Sequence, residues 1–109
     1  MIESVFTLVI IRRDWLVPII EVFYSYDSAE RYLINFFIED AEDFVDHVLE
    51  HSEDCVLTDY FKENYVAKGD SYKFIGNIES YPWKQYNNFL QYYYDSYVIS
   101  YEIKERIIV

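Results

Sequence analysis

The sequence predicts a single α+β domain over residues 1–109. In it, an N-terminal hairpin and two later strands form an antiparallel sheet with helices packed on one face. Three observations predict this class. Residues 5–11 are apolar and rich in β-branched side chains, which is typical of a strand. Apolar residues then recur at helical spacing through the middle of the chain. Residues 97–103 alternate in period two, which predicts a final strand.

The opening hairpin is the first element. Strand 5–11 (VFTLVII) is followed by a predicted turn at residues 12–14 (RRD) and by a returning antiparallel strand over residues 15–23. Pro18 has no backbone N–H to donate to a sheet. We therefore expect it to mark a strand edge, a bulge or the end of the loop.

The first helix follows the hairpin. Asp27 and Glu30 stand at capping-box spacing, and Leu33 and Phe37 lie on the apolar face of the predicted helix. The pattern is compatible with a bend near Asp40 or with one long helix that runs through the next stretch.

The second half of the chain predicts a helix, a strand and another helix. Thr58 is the expected cap of a short helix (DYFKENYV), which residues 68–70 (KGD) end. Residues 71–79 predict the third strand. A further helix starts near Pro82, a residue favoured at the first helical position, and continues through Tyr93.

The charge balance is the most unusual feature of the composition. Twenty acidic side chains face nine basic ones, for a net charge of −11. This argues against DNA, RNA or an anionic membrane as ligand, because phosphates would be repelled. The same charge would attract a basic partner, and it would equally keep a Tyr-rich surface soluble.

The single cysteine, Cys55, excludes an internal disulfide and suits a reducing cytoplasm. Its place on the apolar side of a predicted helix indicates a small core residue. We expect neither a signal peptide nor a membrane span, because the N-terminal apolar run follows an acid, precedes the arginines and is too short. The sequence therefore predicts a cytoplasmic protein, in the cytoplasm of the host cell if it is viral.

Residues 39–54 (EDAEDFVDHVLEHSED) carry eight carboxylates and no lysine or arginine. As sixteen helical residues, they would span about 24 Å, or roughly one charge per 3 Å. A single DNA strand offers one phosphate per about 3.4 Å, so the stretch could imitate nucleic acid. Amphipathicity alone also explains the pattern. The candidate residues for binding a basic partner are Asp40, Glu42, Asp43, Asp46, Glu50, Glu53 and Asp54.

The same stretch contains His47 and His51 at a spacing found in some zinc proteases, with Asp43 and Asp54 one turn away on either side. Two histidines four residues apart, together with a carboxylate, can hold zinc. Solvated histidines beside acids are the alternative that we favour. Since the sequence has no phosphate loop, nucleophile elbow or CxxC pair, we expect a non-enzymatic protein without a cofactor.

An aromatic cluster extends from Tyr81 to Tyr101. Three consecutive tyrosines at residues 92–94 cannot all face a core on one helix, so some rings must be exposed. Because tyrosine and tryptophan are common interface anchors, we select Trp83, Tyr92 and Tyr94 as candidates. The alternative is a Tyr-rich core whose hydroxyls reach the surface.

The segment VFTLVIIRRDWLVPIIEVFYSYDSAERYL resembles a hairpin–helix motif that is frequent in small proteins of phages and mobile elements. The matching features are Val22-Phe23 at the end of a strand and a Ser25-capped helix with Ala29 and the pair Tyr32-Leu33. The likeness covers about the first third of the chain. In size, acidity and lack of catalytic residues, the chain is similar in kind to phage-encoded anti-defence proteins such as anti-CRISPRs, several of which block a nucleic-acid groove.

These observations predict a non-enzymatic acidic module that binds a protein partner, in the manner of a phage inhibitor that covers a basic nucleic-acid-binding surface by DNA mimicry. The alternative is a structural or accessory protein that forms a homodimer through its Tyr-rich helix and C-terminal strand. A metal-dependent hydrolase is the third function that the sequence allows.

Overall fold

The structure, a computed structural model, describes residues 3–51, 55–94 and 96–108. It is a mixed α+β fold with an antiparallel sheet, as predicted. The elements in chain order are β1 (Glu3–Arg12), β2 (Ile19–Phe23), α1 (Tyr26–Glu42), α2 (Val45–Glu50), α3 (Cys55–Asn64), β3 (Tyr65–Lys68), β4 (Ser71–Phe74), a 3₁₀ turn (Ile78–Ser80), α4 (Trp83–Tyr93) and β5 (Val98–Ile108).

The chain forms two compact units. Unit 1 comprises Met1–Leu33 and Leu90–Val109, and unit 2 comprises Ile34–Phe89. Unit 1 contains the three-stranded sheet, and unit 2 contains α2, α3 and the two-stranded sheet. The prediction of one domain over the whole chain stays a prediction.

The sheet of unit 1 has the strand order β2-β1-β5, and both neighbouring pairs are antiparallel. The central strand β1 is apolar over most of its length, and Leu8 and Ile10 on one of its faces are fully buried. The predicted final strand is longer than expected. It continues through Ile108 and pairs with β1 from Glu3↔Ile108 onward.

The hairpin is confirmed, but its second strand is shorter than the predicted 15–23. β2 begins at Ile19, directly after Pro18, which ends the loop. Leu16 and Val17 lie in that loop and are exposed to solvent. Before them, the N–H of Trp15 donates to the carbonyl oxygen of Arg12 at 3.2 Å, and the pairing with β1 begins only at Ile19.

Arg12 organises this end of the sheet. Its side chain is only 6% exposed, and its Nε donates to the carbonyl oxygen of Ser96 at 3.1 Å. Asp14 lies 3.2 Å from the same nitrogen, and the guanidinium carbon lies 5.3 Å from the centre of the Trp15 ring. The register of β1 and β5 shifts between Ile11 and Arg12, so the buried arginine joins the irregular end of the strand pair to the hairpin loop.

Helix α1 begins after Ser25, whose hydroxyl oxygen accepts from the backbone N–H of Ser28 at 3.1 Å. The N-cap is therefore Ser25. Asp27, the first residue of the predicted capping box, lies in the first turn of the helix. The buried positions Ala29, Leu33 and Phe37 recur every four residues, as the sequence predicted.

Thr58 does not cap the second predicted helix, because α3 already begins at Cys55. The Thr58 side chain is buried, and its hydroxyl donates to the carbonyl oxygen of His51 at 3.1 Å. It thereby satisfies a carbonyl at the C-terminal end of α2, where the helix offers no partner of its own.

A strand replaces the end of this predicted helix. Tyr65–Lys68 form β3, which pairs with β4 through a two-residue turn at Gly69 and Asp70. Gly69 has a φ of 64°, which glycine adopts without strain. The predicted strand 71–79 therefore ends at Phe74 and pairs with β3, in a sheet separate from that of β1. Helix α4 starts directly after Pro82, as predicted.

We expect Arg12→Ala to lower the free energy of unfolding by about 2 kcal/mol, because it removes a buried charged donor from the half-buried carbonyl oxygen of Ser96. Urea denaturation followed by circular dichroism measures the change. Arg31→Ala is the matched control, since this exposed arginine of α1 should change stability by less than about 0.5 kcal/mol. Equal effects of the two substitutions would contradict the role of Arg12.

Candidate functional site

The acidic stretch lies in unit 2 and is not one continuous helix. Helix α1 ends at Glu42, a turn follows at Asp43 and Phe44, and α2 covers only Val45–Glu50. The N–H of Phe44 bonds the carbonyl of Ala41 at 2.9 Å within the turn. The sequence left open a bend near Asp40 or one long helix, and the chain bends, at Asp43 and Phe44. The spacing of roughly one charge per 3 Å, which assumed sixteen continuous helical residues, therefore does not apply.

Two of the candidate carboxylates accept hydrogen bonds from tyrosines. The Tyr86 hydroxyl donates to Asp40 Oδ2, and the Tyr72 hydroxyl donates to Asp46 Oδ1, both at 2.7 Å. The bond to Asp46 raises the pKa of Tyr72, because the carboxylate accepts from the neutral phenol only. Asp40 and Asp46 thus hold distant parts of unit 2 together.

A third candidate, Glu42, is paired with a lysine. Its Oε2 lies 3.4 Å from Nζ of Lys73 on β4, and the Glu42 side chain is largely buried whereas the lysine is exposed. One charge of the stretch is therefore neutralised within unit 2. This leaves a smaller acidic surface than the sequence implied.

The remaining described candidates are Asp43 and Glu50, and both are exposed. Neither side chain forms a hydrogen bond or an ion pair with another described residue. Glu39 shares these properties and was not among the candidates. Its position four residues before Asp43, on the polar side of α1, was the signal in the sequence that could have identified it.

Two further candidates, Glu53 and Asp54, lie outside the described residues, as does the side chain of Cys55. The sequence nevertheless fixes the charge of each unit. Unit 2 has twelve acidic residues against four lysines, a net charge of −8, and unit 1 has eight against five, a net charge of −3. Most of the negative charge thus belongs to the unit that contains the acidic stretch.

The two histidines pack against different aromatic rings. His47 is exposed, with its ring centre 5.4 Å from that of Phe44, and His51 packs edge-on against Phe89 at 5.4 Å. In the described ranges, which omit Glu53 and Asp54, no group of three or more His, Cys, Asp or Glu side chains is placed to hold a metal ion.

The three aromatic candidates are divided between the units. Trp83 in unit 2 is half-buried and stacks on Phe37, with ring centres 5.4 Å apart. In unit 1, Tyr92 is 81% exposed and Tyr94 is half-buried. Of the three, Tyr92 presents the largest free ring surface.

Most of the other rings in the aromatic helix are internal. Tyr86 and Phe89 on α4 are buried, and so is Tyr81 just before it. A Tyr-rich core is therefore present in unit 2. It differs from the alternative predicted from the sequence, because the hydroxyls of Tyr65 and Tyr81 are buried instead of reaching the surface.

A chain of hydroxyl groups crosses this core. Tyr65 donates to the carbonyl oxygen of Ile38 at 3.2 Å, and its oxygen lies 2.7 Å from that of Tyr81. A phenol carries one proton, so Tyr81 must be the donor to Tyr65. Burial raises the pKa of both tyrosines, and the neighbouring Tyr65 raises that of Tyr81 further.

Tyr60 is an exception within the same core. Its hydroxyl is buried and has no hydrogen-bond partner among the described residues. Burial raises the pKa of Tyr60, and the nearby Ser80 side chain lowers it by a smaller amount. The Ser80 hydroxyl already donates to the carbonyl oxygen of Asn77 at 3.3 Å.

No protein-family model, curated protein or solved structure matches this chain. Among the helices of the described ranges, none has the length and apolar character needed to cross a membrane.

The direction of the hydroxyl chain predicts unequal costs for removing its members. Tyr65→Phe strands the buried Tyr81 hydroxyl without an acceptor and should cost about 1–3 kcal/mol of stability. Tyr81→Phe leaves Tyr65 bonded to Ile38 and should cost only about 0.5–1.5 kcal/mol. In the double variant no hydroxyl is stranded, so its cost should be smaller than the sum of the two.

Urea denaturation of the four proteins completes this double-mutant cycle. The variant Tyr92→Phe serves as control, because that exposed tyrosine should change stability by less than about 0.5 kcal/mol. Additive costs, or a larger cost for Tyr81→Phe than for Tyr65→Phe, would show that the donor direction is wrong.

The raised pKa values also predict alkaline instability. The ordinary pKa of tyrosine is 10.0. Below that pH, Tyr65 and Tyr81 are neutral in the folded and in the unfolded chain, so they contribute their full stabilisation of the fold. Above it, the unfolded chain releases these protons and the folded chain retains them. The free energy of unfolding should therefore fall by about 1.4 kcal/mol per pH unit for each residue.

Urea denaturation at a series of alkaline pH values measures this slope. In the double variant Tyr65→Phe/Tyr81→Phe, the decline should be shallower by about 2.8 kcal/mol per pH unit. An identical slope in both proteins would mean that other groups control alkaline unfolding.

Proposed function

We propose that this protein is a non-enzymatic acidic module that binds a basic surface of a protein partner. The observation that carries the proposal is the set of exposed carboxylates Glu39, Asp43 and Glu50, which have no ionic partner in the described chain. They belong to a unit with a net charge of −8. Unpaired surface charge of one sign attracts and orients a partner of opposite sign over a long range.

The partner class follows from charge. A basic surface on a folded protein commonly serves to bind nucleic acid, and an acidic module that covers it would block that function. The bend between α1 and α2 means that the carboxylates do not follow one straight strand. We therefore propose that this protein competes with nucleic acid for a basic surface of its partner, in the manner of phage inhibitors. Glu39, Asp43 and Glu50 act as its main exposed charges.

Trp83 is the aromatic candidate in the same unit as these carboxylates, and its ring is partly covered. In unit 1, the exposed Tyr92 ring is a separate candidate that can bury a large area with little loss of side-chain entropy, whereas the Tyr94 ring is partly covered. Since the chain has one cysteine and therefore no internal disulfide, we place this activity in a reducing cytoplasm, that of the host if the protein is viral.

Charge reversal tests the proposal. The triple variant Glu39→Lys/Asp43→Lys/Glu50→Lys changes only exposed side chains and leaves the Asp40 and Asp46 hydrogen bonds intact. In a pull-down from lysate of the source organism, we expect the unmodified protein to capture a basic nucleic-acid-binding protein. The triple variant should bind it at least tenfold more weakly, and rising salt should release it.

The control is Glu21→Lys/Glu30→Lys/Glu63→Lys, which makes the same change in net charge at exposed positions outside the acidic stretch. It should retain most of the binding. Added duplex DNA should displace the captured protein. The proposal would be contradicted if binding persisted both at high salt and in the Glu39→Lys/Asp43→Lys/Glu50→Lys variant, or if DNA did not displace the captured protein.

A further inference from the structure

The outer edge of β5 is a second surface, and it lies in unit 1. No strand of the described chain pairs with that edge, since β5 is last in the order β2-β1-β5. The strand has eleven residues, contains no proline or glycine, and is exposed at most positions. Eleven residues span about 37 Å, which is a long edge for a strand with which no other described strand pairs.

Charged side chains usually prevent such edges from pairing, but two of the four on β5 have opposite signs and flank its middle residue. Ile103 is the central residue of Val98–Ile108, with Glu102 before it and Lys104 after it. Neither charge has an ionic partner in the described chain. When two copies pair antiparallel about Ile103, residues 100–106, which follow the irregularity at Ile99, have partners. Each Glu102 then lies opposite the partner's Lys104.

The neighbouring registers bring like charges together. A two-fold axis at Lys104 places two lysines opposite each other, although it also pairs Glu102 with the partner's Arg106. One at Glu102 places two glutamates opposite each other. An axis between two residues is excluded, because it would pair side chains that lie on opposite faces of the sheet. Like charges directly opposite each other destabilise a strand pair, whereas opposite charges stabilise it.

We propose that a second copy of this chain pairs antiparallel with the β5 edge, with the two-fold axis at Ile103. The two three-stranded sheets then form one six-stranded sheet, held by backbone hydrogen bonds along β5. This inference does not depend on the acidic surface of unit 2. It keeps only part of the dimer predicted from the sequence, because Tyr86 and Phe89 of the Tyr-rich helix are buried within the chain.

The symmetry supplies a sharp test. In β1, the neighbours of Glu102 and Lys104 are Val9 and Thr7, so changing either charge leaves no broken ion pair inside the sheet. Glu102→Lys places lysine opposite lysine twice in the dimer, and Lys104→Glu places glutamate opposite glutamate twice. Sedimentation equilibrium should show a dimeric unmodified protein, and each single variant should dissociate at least tenfold more readily.

Two further samples make the test specific. The double variant Glu102→Lys/Lys104→Glu restores opposite charges and should dimerise as the unmodified protein does. An equimolar mixture of the two single variants should form a mixed dimer, because lysines of one copy then face glutamates of the other. Circular dichroism confirms that each variant is folded.

Three outcomes would overturn the proposal. They are a monomeric unmodified protein at every concentration, single variants that dimerise as strongly as it does, and single variants that remain monomeric when mixed. The first outcome would assign the edge to a strand from a different protein, and the second would assign the dimer to another surface.

Discussion

The structure of unit 2 depends on finding hydrogen-bond partners for buried tyrosine hydroxyls. A buried phenol without a partner costs about as much as a lost hydrogen bond, so each one restricts what may lie beside it. Tyr81 donates to Tyr65, Tyr65 donates to the carbonyl of Ile38, and Tyr86 donates to Asp40. These bonds connect the C-terminal half of α1 to β3 and to the start of α4. The aromatic core is thereby fixed in position as well as buried.

This requirement also divides the acidic stretch into two chemical roles. Carboxylates are strong acceptors, and Asp40 and Asp46 serve as partners of Tyr86 and Tyr72. Because a carboxylate accepts the bond that each buried or half-buried phenol donates, the same two residues contribute charge and stabilise the fold. Glu39, Asp43 and Glu50 have no such bond and project their charge into solvent. An abundance of both acids and tyrosines in one chain is thus partly explained by their mutual hydrogen bonding.

Local patterns predicted the elements that local energetics control. The spacing of Leu33 and Phe37 identified α1, Pro82 marked the start of α4, and the alternation after Tyr97 identified β5. The end of α3 was missed, because YVAK also suits a helix and becomes a strand only by pairing with β4. The roles of Asp40 and Asp46 were missed for a related reason. Their donors lie 46 and 26 residues away, and no local pattern indicates which tyrosine will reach which acid.

Self-pairing at β5 is compatible with a net charge of −11, because the two effects act over different distances. Repulsion between whole molecules is spread over many exposed carboxylates and is largely screened beyond about 8 Å at physiological salt. Strand pairing is decided within about 5 Å, where the local sequence of signs matters more than the total. The sheet also belongs to unit 1, which carries a charge of only −3. In the proposed pairing, Glu102 and Lys104 are complementary about Ile103, whereas axes at Glu102 or at Lys104 bring like charges together.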